Sequence, residues 1–308
     1  LHFIWIHLWP NAFKNDKTAF TDQDLENGST DFYFSNADKR GYINRLDFKV
    51  NGEVAKTTDH PQHQDIIKLI LPKPIAPNNS AKIETPFHVK LPYNFSRGGH
   101  MVQAYQITQW YPKPAVYDRK GWHAIPYLDQ GEFYAEFGNY EVQITLPDNY
   151  VVAATGDLQN ASEADWLKNK QPFTRNLKAA KKAEQKKRAG MSEIPSSAKT
   201  KTLQYKQNNV HDFAWFADKT FSVKTDTLQL PSGKIITANA FYYSENKENW
   251  TNSITMIKRA ILTKSKWLGE YPYSTVSVVD KKGSNNGGME YPTITLVSTP
   301  AADKDLDF

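Results

Sequence analysis

The feature that most constrains this chain is a recurring alternation of apolar and polar residues with period two. Ile83, Thr85, Phe87, Val89 and Leu91 alternate with Lys82, Glu84, Pro86, His88 and Lys90. That spacing buries one set of side chains and leaves the other in water, the signature of a β-strand. Pro86 has no N–H to give to a ladder, so it is expected at an edge or a bulge. Leu46, Phe48 and Val50 alternate likewise and run into Asn51-Gly52, a hairpin-turn dipeptide. Tyr140, Val142, Ile144 and Leu146 repeat the pattern, and Val151 to Thr155 follows the turn Pro147-Asp148-Asn149. Many short strands punctuated by Pro, Gly and Asn predict an antiparallel sandwich or saddle. No apolar run approaches the length of about 18 residues that a membrane-spanning helix needs. Cysteine is absent, which removes disulfides and thiolate metal ligands.

The pattern changes twice along the chain. From about 163 to 200 the sequence is rich in Lys and Ala and poor in apolar positions, with eleven Lys or Arg against two acids between Lys168 and Lys201. The net charge of +5 therefore belongs to this one segment, and the rest of the chain is net acidic. An exposed helical insertion, partly mobile, is expected there rather than a nucleic-acid arm. After Val223 strands and a helix mix. Ile235 to Tyr243 reads as a strand, Ser244 as an N-cap, and Trp250, Ile254, Ile257, Ile261 and Leu268 as one apolar helical face. Gly269 and Pro272 end that helix, and strands follow at Thr275 to Asp280 and Thr293 to Ser298. The expected organisation is mainly β with an α+β C-terminal part: a β domain over 1–223 and a second domain opening over 224–308.

Chemistry concentrates at Gly287-Gly288-Met289-Glu290-Tyr291-Pro292, entering the strand from Thr293. Paired glycines let another backbone approach closely, and a carboxylate beside them can meet a cation. By itself such a pair is more often a plain turn. His60-Pro61-Gln62-His63, flanked by Asp59 and Asp65, offers metal-ligand types, but Pro61 argues for a loop and no third His clusters with them. No P-loop, G-x-G-x-x-G or G-x-S-x-G element occurs.

Gly-Gly-Met-Glu before Tyr-Pro resembles the exopeptidase signature of the aminopeptidase N-like zinc metallopeptidases, the gluzincin family. Val102-Gln103-Ala104 ahead of Gln109-Trp110-Tyr111-Pro112 is similar to a second segment of that family, in which a Gln-Ala pair precedes an aromatic-Pro step. Further runs, among them His7-Leu8-Trp9-Pro10-Asn11 and Val210 to Ala217, look like the Bacteroidetes-type branch. The resemblance implies a β-saddle domain followed by the start of a thermolysin-like catalytic domain. It also implies peptide substrates with a free N-terminal amine. The substrate ammonium would fall to Glu290 and Gln103, and backbone pairing to Gly287, Gly288 and Met289. Tyr291 replaces the family's usual Asn, so that side chain's role does not carry over.

The family's zinc is held by H-E-x-x-H and a later Glu, and the motif's Glu activates water. None of the eight histidines here begins that motif. The resemblance therefore implies zinc in the full-length protein, none bound by this fragment, and a chain that stops before the motif. The other reading that stays open is a non-catalytic β-rich binding or scaffold protein of the same descent.

Overall fold

The computed structural model describes residues 1–170, 194–282 and 287–298. The central part of the basic insertion, residues 171–193, where mobility was expected, lies outside the described residues. The chain separates into two compact units: Leu1–His100 with Ile107–Phe137, and Met101–Gln106 with Gly138–Phe308. The expected boundary at 223/224 falls inside the second unit, where a five-stranded sheet begins at Ser222.

In the first unit the strand Phe3–His7 pairs antiparallel with Ile66–Ile70 along its whole length and with Lys113–Pro114 on its other edge. Ile4 and Ile6 alternate into a core shared with Phe48, Val50, Ile67 and Leu69. A second core is aromatic, built from Trp9, Phe13, Phe20, Phe32 and Tyr127. Asn51 and Gly52 join the strands Lys49–Val50 and Glu53–Val54 with φ of 51° and 84°. Positive φ at both central residues is what a two-residue hairpin requires, and Asn-Gly supplies it at little cost. The run from Ile83 to Leu91 is not one strand. Ile83–Glu84 pairs with Lys49–Val50, His88–Lys90 pairs with Tyr42–Asn44, and the break includes Pro86. A proline without an N–H cannot carry the ladder through.

In the second unit Gly138–Pro147 pairs antiparallel with Thr200–Val210, from Tyr140↔Gln207 to Pro147↔Thr200. Val151–Ala154, Trp215–Asp218 and the strand through Ala104 to Gln106 lie side by side in that order. The five-stranded sheet runs Ser222–Gln229, Ile235–Tyr242, Thr275–Lys281, Ile294–Ser298, Gly288–Tyr291. Its inner pairings are parallel and its outer two antiparallel. Parallel neighbours need a crossover, and the helix Ser253–Leu268 provides it. Ile257 and Ile261 pack with Trp250, Ile236, Ala238 and Ala240 on one face of the sheet. Val151, Phe216, Phe221 and Leu167 cover Phe241, Val279, Ile294 and Leu296 on the other.

The helix starts later than the sequence suggested. Ser244 opens only a single turn ending at Asn246, and Asn252 precedes the first helical residue. Asp280 explains the delay: its carboxylate accepts the Tyr243 N–H at 3.1 Å and the Asn246 amide at 2.8 Å, tying the chain back to the sheet. Gly269 ends the helix with φ of 100°. Among the described residues no helix is long and apolar enough to cross a membrane.

Candidate substrate-amine site

Gly287-Gly288-Met289-Glu290 does more than lead into a strand. Gly288–Tyr291 is itself the outermost strand of the five-stranded sheet. It pairs with its successor from Gly288↔Val297 to Tyr291↔Ile294. The reversal passes through Pro292 and Thr293, and Thr293 takes φ of 62°. Its hydroxyl accepts the Gly156 N–H at 2.8 Å, and its carbonyl accepts the Ser277 N–H at 2.8 Å. Those bonds hold a β-branched residue in a conformation it otherwise avoids.

Alternation then sorts the side chains. Met289 and Tyr291 pack into the core with Phe216 and Leu296. Gly288 and Glu290 face the other way and are exposed. Opposite them in register stand Val297 and Thr295, which line a cavity of about 550 Å³ between the sheet and the helix Ser253–Leu268. A Cβ at position 288 would stand 3.1 Å from the Leu296 carbonyl oxygen, so glycine suits the spot. Among the described residues no strand pairs with the outer edge of Gly288–Tyr291.

Gln103 comes from a different sheet of the same unit. It sits in the two-residue turn between Gly99–Met101 and Ala104–Ile107, where Val102 has φ of 56°. Its side-chain oxygen is buried without a partner among the described residues. The structure thus puts Gly288, Met289 and Glu290 on one strand with Gly287 directly before it, and leaves Gln103 in a turn of another sheet. Sequence reasoning missed a residue that bridges the two sheets. Gln106 Nε2 donates to the Lys282 carbonyl at 3.3 Å. The available signal was a polar residue in an otherwise inward-facing strand position, three residues after Gln103.

Zinc is the metal that the resemblance implies. Among the described residues no group of three or more His, Asp or Glu gathers, so they do not supply the donor set that zinc needs. The His60 and His63 rings stack 5.0 Å apart, but His60 Nδ1 already accepts the Gln62 and His63 N–H groups, each at 3.2 Å. Asp65 turns away to accept the Tyr127 N–H at 2.6 Å.

No protein-family model matches the sequence, and no curated protein matches it. Solved structures do match. A two-domain M1 zinc metallopeptidase, in a variant bound to L-arginine, aligns with a TM-score of 0.51 at 13% identity, covering 86% of this chain and 54% of its own. A variant of the M1 zinc metallopeptidase from Deinococcus radiodurans gives 0.51 at 15% identity, covering 84% and 52%. The unmodified Deinococcus radiodurans enzyme gives 0.50 at 14%, covering 86% and 53%. The chain spans about half the length of these neighbours. At such identity the likeness is one of fold, and the fold is that of the M1 zinc metallopeptidases.

Proposed function

We propose that this chain is the amine-recognising portion of a zinc-dependent aminopeptidase that removes N-terminal residues from peptides, of the Bacteroidetes-type branch. On this reading 1–223 is the β-saddle domain, and the rest opens the thermolysin-like catalytic domain. The observation that carries the reading is Gly288–Glu290 on the outermost of the described strands of the five-stranded sheet, with Glu290 exposed, in a chain with the M1 fold.

A bound peptide adds as a further strand along Gly287, Gly288 and Met289, where glycine lets the two backbones meet. Its terminal ammonium donates to the Glu290 carboxylate, a charge-assisted bond, and to the side-chain oxygen of Gln103. Pro292 offers no N–H, so pairing stops there and the peptide end is fixed beside Glu290. Zinc, held by residues of the full-length protein other than those described, would activate the attacking water.

Binding of Leu-Gly-Gly and N-acetyl-Leu-Gly-Gly, followed by NMR titration, tests the amine anchor. The free tripeptide is expected to bind about tenfold or more tighter, the worth of one hydrogen bond to a charged group. Glu290→Gln should close that gap and leave the acetylated peptide unaffected, and Gln103→Ala should narrow it less. An unchanged gap in Glu290→Gln would falsify the assignment.

A further inference from the structure

We propose that Gln106 is a positioning residue for the amine site, clamping the strand that leads towards Gly287–Glu290 against the hairpin that carries Gln103. The proposal rests on the reading of Glu290 and Gln103 given above. Gln106 is 5% exposed and lies on Ala104–Ile107. Its Nε2 donates to the carbonyl of Lys282, just past the end of the strand Thr275–Lys281. Residues 283–286 then separate Lys282 from Gly287.

Lys282 is held a second time, through its side chain. Its ammonium stands 3.8 Å from Asp218 Oδ2 and 4.7 Å from the centroid of the Tyr243 ring. The Tyr243 hydroxyl donates to the same carboxylate oxygen at 3.1 Å. Asp218 Oδ1 accepts from the Thr220 N–H at 2.7 Å and its hydroxyl at 2.8 Å, so the carboxylate is fixed from both sides. Asp218 belongs to Trp215–Asp218, the sheet neighbour of Ala104–Ile107. Backbone and side chain of Lys282 are thus both fastened to the sheet that carries Gln103.

The far end is fastened differently. The Gly287 carbonyl accepts from the Ser298 N–H at 3.2 Å and the Ser298 hydroxyl at 2.9 Å, both within the five-stranded sheet. The offset between Glu290 and Gln103 is therefore set by how the two sheets are joined, and Gln106 makes a join beside the turn that bears Gln103. The choice of residue fits a positioning role. The Gln106 side-chain oxygen is buried with no partner among the described residues. Burying an amide for one bond gains little stability, so its value lies in where it puts the carbonyl it grips.

Gln106→Met keeps the length and removes the amide. Two readouts are taken on the 308-residue chain: hydrogen exchange across 287–291, and the preference for Leu-Gly-Gly over N-acetyl-Leu-Gly-Gly. Exchange at 287–291 is expected to rise about three- to tenfold, with Ser222–Gln229 unchanged, and the preference to fall by a similar factor. The affinity for the acetylated peptide stays as it was. A purely structural role would raise exchange across the whole sheet and leave the preference intact, which overturns the proposal. If Glu290→Gln abolishes the preference while Gln106→Met does not, the clamp is wrong and the amine anchor stands. If Glu290→Gln changes nothing, the anchor itself is wrong and the clamp falls with it. Should Gln106→Met not fold, Gln106→Asn keeps the amide but falls one methylene short of the Lys282 carbonyl, and is expected to shift both readouts the same way. Unchanged exchange there overturns the proposal.

Discussion

His7 and Asp65, both buried in the first unit, pull the pH dependence of its stability in opposite directions. The His7 ring lies flat on Trp9 at 4.5 Å, and its Nε2 accepts the Ile125 N–H at 3.1 Å. Burial first, and the nearby Lys113 ammonium second, lower its pKa from 6.5 to about 3. The folded state resists the proton, so the stability this group gives above 6.5 is lost as the pH falls towards 3. Asp65 goes the other way. Burial raises its pKa from 3.8 to about 6, against the bond from the Tyr127 N–H. Its contribution is present below 3.8 and lost as the pH rises through about 6. His7→Gln should therefore flatten the decline of the melting midpoint between pH 6.5 and 4. Asp65→Asn should raise the midpoint at pH 7 relative to pH 4. Circular dichroism melts across that range check both, and profiles parallel to the parent would refute the assignments. Neither behaviour was legible beforehand, because burial of a single His or Asp depends on partners more than a hundred positions away in sequence for His7, and more than sixty for Asp65.

At the scale of elements, legibility followed how local the determining physics is. Asn51-Gly52 demands its own turn, and the helix Ser253–Leu268 announces itself by spacing, so both were readable. Ser244 misled because the Asp280 carboxylate, from a strand not yet reached, holds Tyr243 and Asn246 in a turn. Gly288–Tyr291 was read as an approach to a strand because nothing in Pro292-Thr293 advertises a reversal. That reversal depends on the bonds of Thr293 to Gly156 and Ser277, which only the folded chain brings near. Thr293→Val keeps the shape and the strained backbone but removes the acceptor for the buried Gly156 N–H. It should cost about 1–3 kcal/mol, with Thr293→Ser recovering most of it. Urea denaturation of the three proteins decides, and equal midpoints for Val and Thr would show that the hydroxyl does not hold the turn.

At the scale of the whole molecule, the same division explains what the motifs conveyed. Gly-Gly-Met-Glu is contiguous and was visible as a candidate, whereas the partnership proposed for it with Gln103 would rest on Gln106 and Lys282, which no spacing rule connects. The 308 residues contain no H-E-x-x-H, and the described ones gather no zinc donor set. On its own the chain is expected to retain less than one zinc per molecule after dialysis and to hydrolyse no leucine nitroanilide. Metal analysis beside a turnover assay checks this, and stoichiometric zinc with turnover would contradict it. The open edge at Gly288–Tyr291 also bears on how these molecules behave in a crowd. A strand edge proposed to receive a peptide could equally receive the same edge of a second copy, the first step of sheet-to-sheet association. The strand is only four residues long and is followed by a proline. Two such edges brought together would set one Glu290 charge near another. The carboxylate proposed to welcome an ammonium would thus also turn away its own twin, and attraction of substrate and mutual avoidance in solution would rest on the same side chain.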